Sequence, residues 1–137
     1  MSKTIVIVDD DPDDRELLKD AAKTLFMDNP IEVFGDAEAA LAFLKDTKVQ
    51  PLFILCDVNM PKMGGIAFRE AIYQDEELRL KCIPFLFLST SADPKLIKEA
   101  YILAVQGYFK KPNTYAEIVE MFSEISLYWT RCMHPNS

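Results

Sequence analysis

Four short apolar runs of this 137-residue chain each end in polar residues that are able to take part in phosphate or metal chemistry. These residues are Asp9 and Asp10 after residues 5–8, Asp57 after 52–56, Ser89 and Thr90 after 85–88, and Lys111 after 107–110. If the runs are neighbouring parallel strands, these side chains meet at one edge of a sheet, where open parallel sheets bind ligands. Carboxylates, hydroxyls and an ammonium at one edge suit a divalent cation and a phosphoryl group.

The three carboxylates of Asp9, Asp10 and Asp57 indicate a cation site. Two unit charges 4 Å apart repel by about 4 kcal/mol at an effective dielectric of about 20. Such a cluster is tolerable if a cation or an ammonium neutralises it. A site with oxygen ligands only, one or two carboxylates and several waters is the kind that Mg²⁺ prefers, and no cysteine or histidine is placed for zinc. Asp11 is interpreted separately, as the N-cap that precedes Pro12 at the start of a helix.

Asp57 is the candidate nucleophile, because a carboxylate can accept a phosphoryl group and form an acyl phosphate. The metal and Lys111 would offset the charge on the phosphoryl oxygens, and Ser89 or Thr90 would donate a hydrogen bond to them. Taken alone, Lys111 is typical of an exposed strand-end lysine and Ser89 of a turn residue. Their positions at the ends of successive apolar runs favour a shared site.

The elements that position these residues alternate between strands and helices. The apolar runs are short, unbroken and rich in Val, Ile, Phe and Leu, which is typical of strands buried on both faces of a parallel sheet. A further strand is predicted at 31–34, and apolar residues recur at helical spacing within 17–26, 37–44, 66–72, 97–104 and 115–129. The alternation predicts an α/β fold with right-handed crossovers and helices on both faces of the sheet.

Composition narrows the classes of function. We expect a single domain over residues 1–137 with no output domain. The net charge of −7 disfavours direct binding to nucleic acid, and no apolar stretch reaches the roughly 18 residues that a membrane span needs. The start at Met1–Thr4 lacks the layout of a secretory signal, so we expect a cytoplasmic protein. Three cysteines show no paired spacing, and His134 is expected in a frayed tail without a role as ligand or base.

Taken in order, the motifs resemble the response-regulator receiver domains of bacterial two-component signalling. The motifs are Val8-Asp9-Asp10 (the acidic pair), Asp57 to Pro61 (the phosphoacceptor loop), Leu88-Ser89 (the strand-end hydroxyl) and Gly107 to Pro112 (the last strand with its Lys-Pro signature). The resemblance covers nearly the whole chain and is to stand-alone, chemotaxis-regulator-like members. It implies a flavodoxin-like, doubly wound sheet of five parallel strands in the order 2-1-3-4-5, with five helices in three α/β/α layers.

The resemblance also implies roles for single residues. Asp57 would take a phosphoryl group from a phosphohistidine of a sensor kinase or a phosphotransfer protein. Mg²⁺ would be held by Asp10, Asp57 and the main-chain carbonyl of Asn59, with Asp9 acting through a coordinated water. Lys111, rather than Lys110, would match the family lysine because it directly precedes proline, and the Lys111-Pro112 bond is expected to be cis.

The resemblance further implies a switch. Tyr108 matches an aromatic position that responds to the strand-end hydroxyl, and phosphorylation would bias a surface formed by the fourth helix, the fifth strand and the fifth helix. The expected partners are the kinase and an unknown downstream protein, and the chain is expected to be a monomer or a weak homodimer that depends on phosphorylation.

Three features depart from the family pattern or allow two interpretations. Thr90 stands where many relatives have a smaller residue, and it is hypothesised to restrict access to the phosphoryl group. Ala104-Val105 replaces a common Gly-Ala pair, with an effect expected on packing alone. Ile102, Leu103 and Val105 in the fourth helix lie partly off the stripe expected to face the core, which indicates either a wide buried face or an apolar docking surface for a partner or a second copy.

Three rival functions are compatible with parts of the pattern. An aspartyl-nucleophile phosphohydrolase commonly has a second acid two residues after the nucleophile, but the chain has Asn59 there, and an amide cannot act as a general acid or base. A flavin carrier would need a hydroxyl- and glycine-rich loop in place of Asp9 to Asp11. An inert receiver-like interaction module would not need the full set of chemical groups. We therefore expect a signalling switch that catalyses only its own phosphorylation and slow dephosphorylation.

Overall fold

The computed structural model describes residues 3–136 and contains one five-stranded parallel sheet. Its strands are β1 (Thr4–Val8), β2 (Ile31–Phe34), β3 (Pro51–Asp57), β4 (Phe85–Ser89) and β5 (Gly107–Lys110). Their order in the sheet is β2-β1-β3-β4-β5. The predicted fold class and strand order are confirmed. Met1 and Ser2, on which part of the argument about a signal peptide rested, lie outside the described residues.

Six helices, rather than the five expected, accompany the sheet in the described residues. They are α1 (Pro12–Leu25), α2 (Ala37–Leu44), α3 (Gly65–Gln74), α4 (Glu76–Leu80), α5 (Pro94–Ile102) and α6 (Tyr115–Arg131). The additional helix is α4, which begins where the extended backbone of Asp75 ends α3 and the Asp75 carboxylate accepts a hydrogen bond from the Leu78 N–H. A helix of five residues with one buried side chain, Leu78, is too short to show a helical pattern in the sequence.

The helices form layers on the two faces of the sheet. Alternate strand residues point to opposite faces of the sheet. Ile5 and Ile7 of β1 therefore pack in the same core as α1 and α6. Val6 and Val8 pack in the other core, with α2, α3 and α5. The three-layer, doubly wound arrangement is confirmed. In the described residues, no helix is both long enough and apolar enough to cross a membrane.

The expected N-caps are present. The Asp11 carboxylate accepts hydrogen bonds from the main-chain N–H groups of Asp13 and Asp14, and Pro12 is the first residue of α1. Asp93 is the N-cap of α5, and its carboxylate accepts a hydrogen bond from the Lys95 N–H. The interpretation of Asp11 as a cap is therefore confirmed.

The fourth helix of the prediction is α5 in the structure, because the short α4 precedes it. The apolar residues predicted for this helix do not share one environment. The helix α5 ends at Ile102, whose side chain is 73% exposed, and Val105 is buried beyond the end of the helix. Ala104 lies outside the helix as well. A wide buried helix face is therefore the wrong interpretation for Ile102, although Val105 does belong to the core.

Ala104 has a left-handed backbone, with φ of 60°, so the expectation that the Ala-Val pair affects packing alone was wrong. A left-handed residue after the end of a helix is usually glycine, because a Cβ atom is disfavoured in this conformation. We expect Ala104→Gly to raise the free energy of unfolding by about 0.5–1 kcal/mol, measured by urea denaturation. The same substitution at Ala100, inside α5, is expected to lower it; stabilisation at both sites, or at neither, would contradict this account.

The C-terminal segment packs on the domain, contrary to the expected frayed tail. His134 Nε2 lies 2.7 Å from the Leu52 carbonyl oxygen, and its ring lies against Trp129. Asn136 also donates a side-chain hydrogen bond of 2.7 Å to the Lys81 carbonyl. Both contacts join the segment to main-chain carbonyls, one near the start of β3 and one in the loop between α4 and β4.

Candidate functional site

The register of the strands brings the expected residues to one edge of the sheet. Val8 of β1 lies beside Cys56 of β3, so the residues that follow, Asp9 and Asp57, are neighbours. On the other side of β3, Asp57 pairs with Leu88 of β4, and Ser89 pairs with Lys110 of β5. Parallel pairing therefore places the ends of β1, β3, β4 and β5 side by side, as the sequence predicted.

Three carboxylates converge at this edge. Oxygen atoms of Asp9, Asp10 and Asp57 all lie within 4.8 Å of one another. Asp9 and Asp57 are buried and Asp10 is exposed, so the cluster opens to solvent through Asp10. We call the space lined by these three residues and Lys111 the acidic crevice.

The donors of the acidic crevice fit a divalent cation that prefers oxygen ligands. The Asp9 Oδ2 atom is buried and forms an ion pair with the Lys111 ammonium, 2.8 Å away, without the alignment of a hydrogen bond. Asp57 Oδ1 accepts a hydrogen bond from the Asn59 N–H at 3.1 Å, which holds the loop after β3 beside the carboxylate. Three converging carboxylates that offer hard oxygen atoms match the ligand chemistry of Mg²⁺ and Mn²⁺.

Lys111 forms ion pairs with three carboxylates at the site. Its Nζ atom is 2.8 Å from Asp9 Oδ2, 2.9 Å from Asp14 Oδ2 and 3.3 Å from Asp57 Oδ2. Burial alone would lower the pKa of Lys111, but the adjacent carboxylates of Asp14, Asp9 and Asp57 outweigh this effect and raise the pKa. The neighbouring Lys110 is exposed, as expected for a residue outside the site.

Burial raises the pKa of both Asp9 and Asp57 above the ordinary value, and the proximity of Lys111 only partly opposes this effect. The charge of Asp57 further raises the pKa of Asp9, and the charge of Asp10 further raises the pKa of Asp57. In the metal-free site, the three carboxylates of the acidic crevice share the single ammonium of Lys111, so negative charge is in excess.

This excess charge predicts that Asp57→Asn stabilises the metal-free protein. A raised pKa in the native state means that the native protein takes up protons before the unfolded chain does as pH falls. The contribution of Asp57 to stability is therefore least favourable above its raised pKa, and it improves as pH falls through that pKa toward the ordinary value of 3.8. We expect the urea midpoint of Asp57→Asn in EDTA to exceed that of wild type at neutral pH, with a smaller difference at mildly acidic pH. Asp28→Asn, at an exposed position, is the control; an equal effect there, or a gain that grows with acidity, would contradict this prediction.

The hydroxyl and aromatic residues occupy distinct environments. Ser89 is fully buried, and its Oγ accepts a hydrogen bond of 3.1 Å from the Ser91 N–H, whereas Thr90 is exposed. The ring of Tyr108 lies 6.0 Å from that of Phe87, and its buried hydroxyl has no hydrogen-bond partner. Tyr108 is thus turned toward the interior beside β4.

Two residues at the site were not identified from the sequence. Asp14 was interpreted only as a favourable charge at the start of α1, yet it contacts Lys111. Its position in the first turn of α1, directly after the strand end that carries Asp9 and Asp10, was the available signal. The Arg15 guanidinium donates a hydrogen bond of 2.8 Å to the Asp9 carbonyl and thereby holds the end of β1; nothing in the sequence alone distinguished it from other arginines.

The expected cis bond is absent. No peptide bond in residues 3–136 is cis, so Lys111-Pro112 is trans and the expectation from the family resemblance was wrong. The trans form of an X-Pro bond is intrinsically favoured by about 0.5–1 kcal/mol. The main chain still reaches the site, because the Lys111 N–H donates a hydrogen bond of 2.8 Å to the Ser89 carbonyl.

Comparison with known proteins agrees with the geometry. The family model described as the response regulator receiver domain matches residues 5–123. Response regulator Rcp1 of Synechocystis is 30% identical over 132 residues, which span 93% of this chain and 88% of that protein. Chemotaxis protein CheY-3 of Vibrio cholerae is 36% identical over 121 residues, which span 88% of this chain and 89% of that protein.

Solved structures show the same fold over nearly the whole chain. The phosphorylated cyanobacterial phytochrome response regulator RcpA has a TM-score of 0.87 at 26% identity, with 98% of this chain and 99% of that chain covered. The Mn²⁺-bound form of Rcp1 has a TM-score of 0.83 at 29% identity, with 97% and 99% covered. With a family match over residues 5–123, the chain belongs to the response regulator receiver domains of two-component signalling, which interact with histidine kinases or phosphotransfer proteins.

Proposed function

We propose that this protein is a phosphoacceptor switch in which Asp57 takes a phosphoryl group with the help of Mg²⁺. One observation carries the proposal: the Asp57 carboxylate lies within 4.8 Å of the Asp9 and Asp10 carboxylates and 3.3 Å from the Lys111 ammonium. A carboxylate nucleophile thus has groups for holding a cation on one side and a cationic side chain on the other. The phosphorylated form of RcpA and the Mn²⁺-bound form of Rcp1 support both parts of the proposal by relationship.

The proposed step forms a bond between an Asp57 carboxylate oxygen and phosphorus while the bond to the donor phosphohistidine nitrogen breaks. Asp10, Asp57 and the Asn59 main-chain carbonyl would hold Mg²⁺, with Asp9 acting through water, and the bound cation would neutralise charge on the transferring oxygens. Lys111 would stabilise a second phosphoryl oxygen. Its Nζ atom already lies 3.3 Å from Asp57 Oδ2, beside the proposed acceptor.

The resulting acyl phosphate is proposed to persist as a signal rather than to turn over rapidly. Asn59 donates its main-chain N–H to Asp57 Oδ1, and its side-chain amide cannot remove a proton from an attacking water. This residue favours a switch over a phosphohydrolase. The protein would then catalyse only its own phosphorylation and slow dephosphorylation. Thr90, exposed beside the site, is proposed to limit access of water to the phosphoryl group.

The signal is proposed to reach the surface formed by α5, β5 and α6. Ser89 is buried behind the crevice; its hydroxyl accepts a hydrogen bond from the Ser91 N–H and would donate its own O–H to the phosphoryl group. Tyr108 of β5 pairs with Phe87 of β4, and its inward-facing hydroxyl has no hydrogen-bond partner. A movement of β4 would therefore shift Tyr108. Exposed Tyr101 and Ile102 are part of this surface.

The cellular setting belongs to the same proposal. A sensor kinase or phosphotransfer protein would supply the phosphoryl group in the cytoplasm, and an unidentified downstream protein would read the surface. A monomer, or a homodimer that forms weakly on phosphorylation, is the proposed oligomeric state.

The proposal is tested by incubating the protein with acetyl phosphate and measuring intact mass. With Mg²⁺ present we expect one phosphoryl adduct that is labile to alkali, and we expect none when EDTA replaces Mg²⁺. The absence of an adduct in both conditions, or equal adduct formation with EDTA, would contradict the proposed metal-dependent function.

A further inference from the structure

Asp14 makes a contact with the site that metal binding and phosphoryl transfer, as proposed above, do not use. Its Oδ2 atom is 2.9 Å from Lys111 Nζ, closer than the 3.3 Å that separates Lys111 from Asp57. The Asp14 side chain is 40% exposed, whereas the Asp9 side chain, on the other side of the ammonium, is 1% exposed. Lys111 is therefore held between a buried carboxylate and a carboxylate at the mouth of the acidic crevice.

The two contacts must respond differently when a cation occupies the acidic crevice. A cation beside Asp9 neutralises part of the Asp9 charge and so weakens the ion pair between Asp9 and Lys111. The cation also repels the Lys111 ammonium. Asp14 is outside the group of three carboxylates that converge in the crevice, so its charge remains available to Lys111. An ammonium that loses Asp9 can remain at the site only if another acceptor holds it, and Asp14 is already within bonding distance.

We propose that Asp14 is a positioning residue that holds Lys111 at the mouth of the acidic crevice and so allows Asp9 to serve a divalent cation. The inference rests on the proposed metal-dependent function. Without Asp14, the ammonium would rely on Asp9 and Asp57 alone and would compete with the cation for them. Asp14 therefore favours cation binding through Lys111.

The chain offers a matched control for the charge of Asp14. Asp13 is its neighbour in the first turn of α1 and is exposed. The three ion pairs of the described residues all join Lys111 to Asp9, Asp14 or Asp57, and none involves Asp13. Asp13→Asn removes the same charge from the same helix turn, so it reports the general electrostatic effect and the effect on the helix dipole.

The first test measures Mg²⁺ binding by titration calorimetry of wild type, Asp14→Asn and Asp13→Asn. Partly exposed ion pairs have modest energies, so we expect Asp14→Asn to weaken Mg²⁺ binding about threefold to fivefold and Asp13→Asn by less than about twofold. In a Lys111→Met background, Asp14→Asn should have no more effect than Asp13→Asn. Equal effects of the two substitutions in wild type, or the same loss with and without Lys111, would overturn the inference.

The second test is independent of metal and of phosphorylation. In metal-free wild type, the ¹⁵N-labelled Lys111 ammonium should give a resolved NMR signal, because ion pairing and burial slow its exchange with water. Asp14→Asn should speed that exchange and shift the signal, Asp14→Glu should restore it at least in part, and Asp13→Asn should leave it unchanged. An unaltered signal in Asp14→Asn would overturn the inference even if wild type is phosphorylated. Conversely, a failure of wild type to be phosphorylated would count against the proposed function, while this signal would still decide whether Asp14 holds Lys111.

Discussion

Replacing Lys111 with alanine is expected to lower the free energy of unfolding of the metal-free protein by about 3 kcal/mol, because it leaves buried carboxylates without their cation. The ammonium lies 2.8 Å from Asp9 and 3.3 Å from Asp57, whose side chains are 1% and 10% exposed. Neither carboxylate can turn fully to water, so both keep the cost of burial without the compensating charge. Urea denaturation in EDTA measures this effect directly.

The same substitution should be much less harmful when Mg²⁺ is present, because a divalent cation supplies the missing positive charge. The control is Lys110→Ala, which removes an exposed ammonium from the preceding position and should change stability by less than about 0.5 kcal/mol. A loss in Lys111→Ala that is as large with Mg²⁺ as with EDTA would show that the lysine acts by packing alone. Equal losses at positions 110 and 111 would contradict the described position of Lys111.

The second large effect is expected at Gly65, where α3 begins against the main chain of Asp57 and Val58. A Cβ atom built on Gly65 would lie 2.7 Å from the Asp57 carbonyl oxygen and 2.9 Å from Val58 Cα. Both are main-chain atoms that cannot rotate away, so Gly65→Ala must move the start of α3 or the end of β3. We expect a loss of about 2–3 kcal/mol in the free energy of unfolding, as for other overpacked sites, together with weaker Mg²⁺ binding because Asp57 is displaced.

Gly64 provides the matched control for this prediction. A Cβ atom there would approach no closer than 3.6 Å to the Val58 carbonyl oxygen, which is ordinary van der Waals contact. Gly64→Ala should therefore change stability and Mg²⁺ binding only slightly. If the two alanine variants behave alike, the close approach of α3 to Asp57 is not what requires glycine at position 65.

Much of the fold followed from local pattern, because buried parallel strands and amphipathic helices have distinct periodicities. What the sequence did not predict depends on small or long-range features. The helix α4 has only one buried side chain, Leu78, and gives no periodic signal. The left-handed backbone of Ala104 and the packing of His134 on Leu52 both depend on tertiary contacts that no short window of sequence contains.

The residues of the site were predictable because parallel strands align their carboxyl ends, so the end of each apolar run indicates the same edge of the sheet. This argument located Asp9, Asp57, Ser89 and Lys111 together. It did not locate Asp14, because that side chain reaches the site from a helix, where the approach depends on how α1 packs. The isomer of the Lys111-Pro112 bond was inferred from the family alone, and the structure differs there.

The most direct test of the central claim is to identify which residue carries the phosphoryl group. Reduction of an aspartyl phosphate with borohydride converts the aspartate to homoserine, which peptide mass spectrometry can assign to one position. After treatment with acetyl phosphate and Mg²⁺, we predict homoserine at position 57 in wild type and none in Asp57→Asn. Homoserine at Asp9 or Asp10 instead, or no conversion at any aspartate, would contradict the claim that Asp57 is the phosphoacceptor.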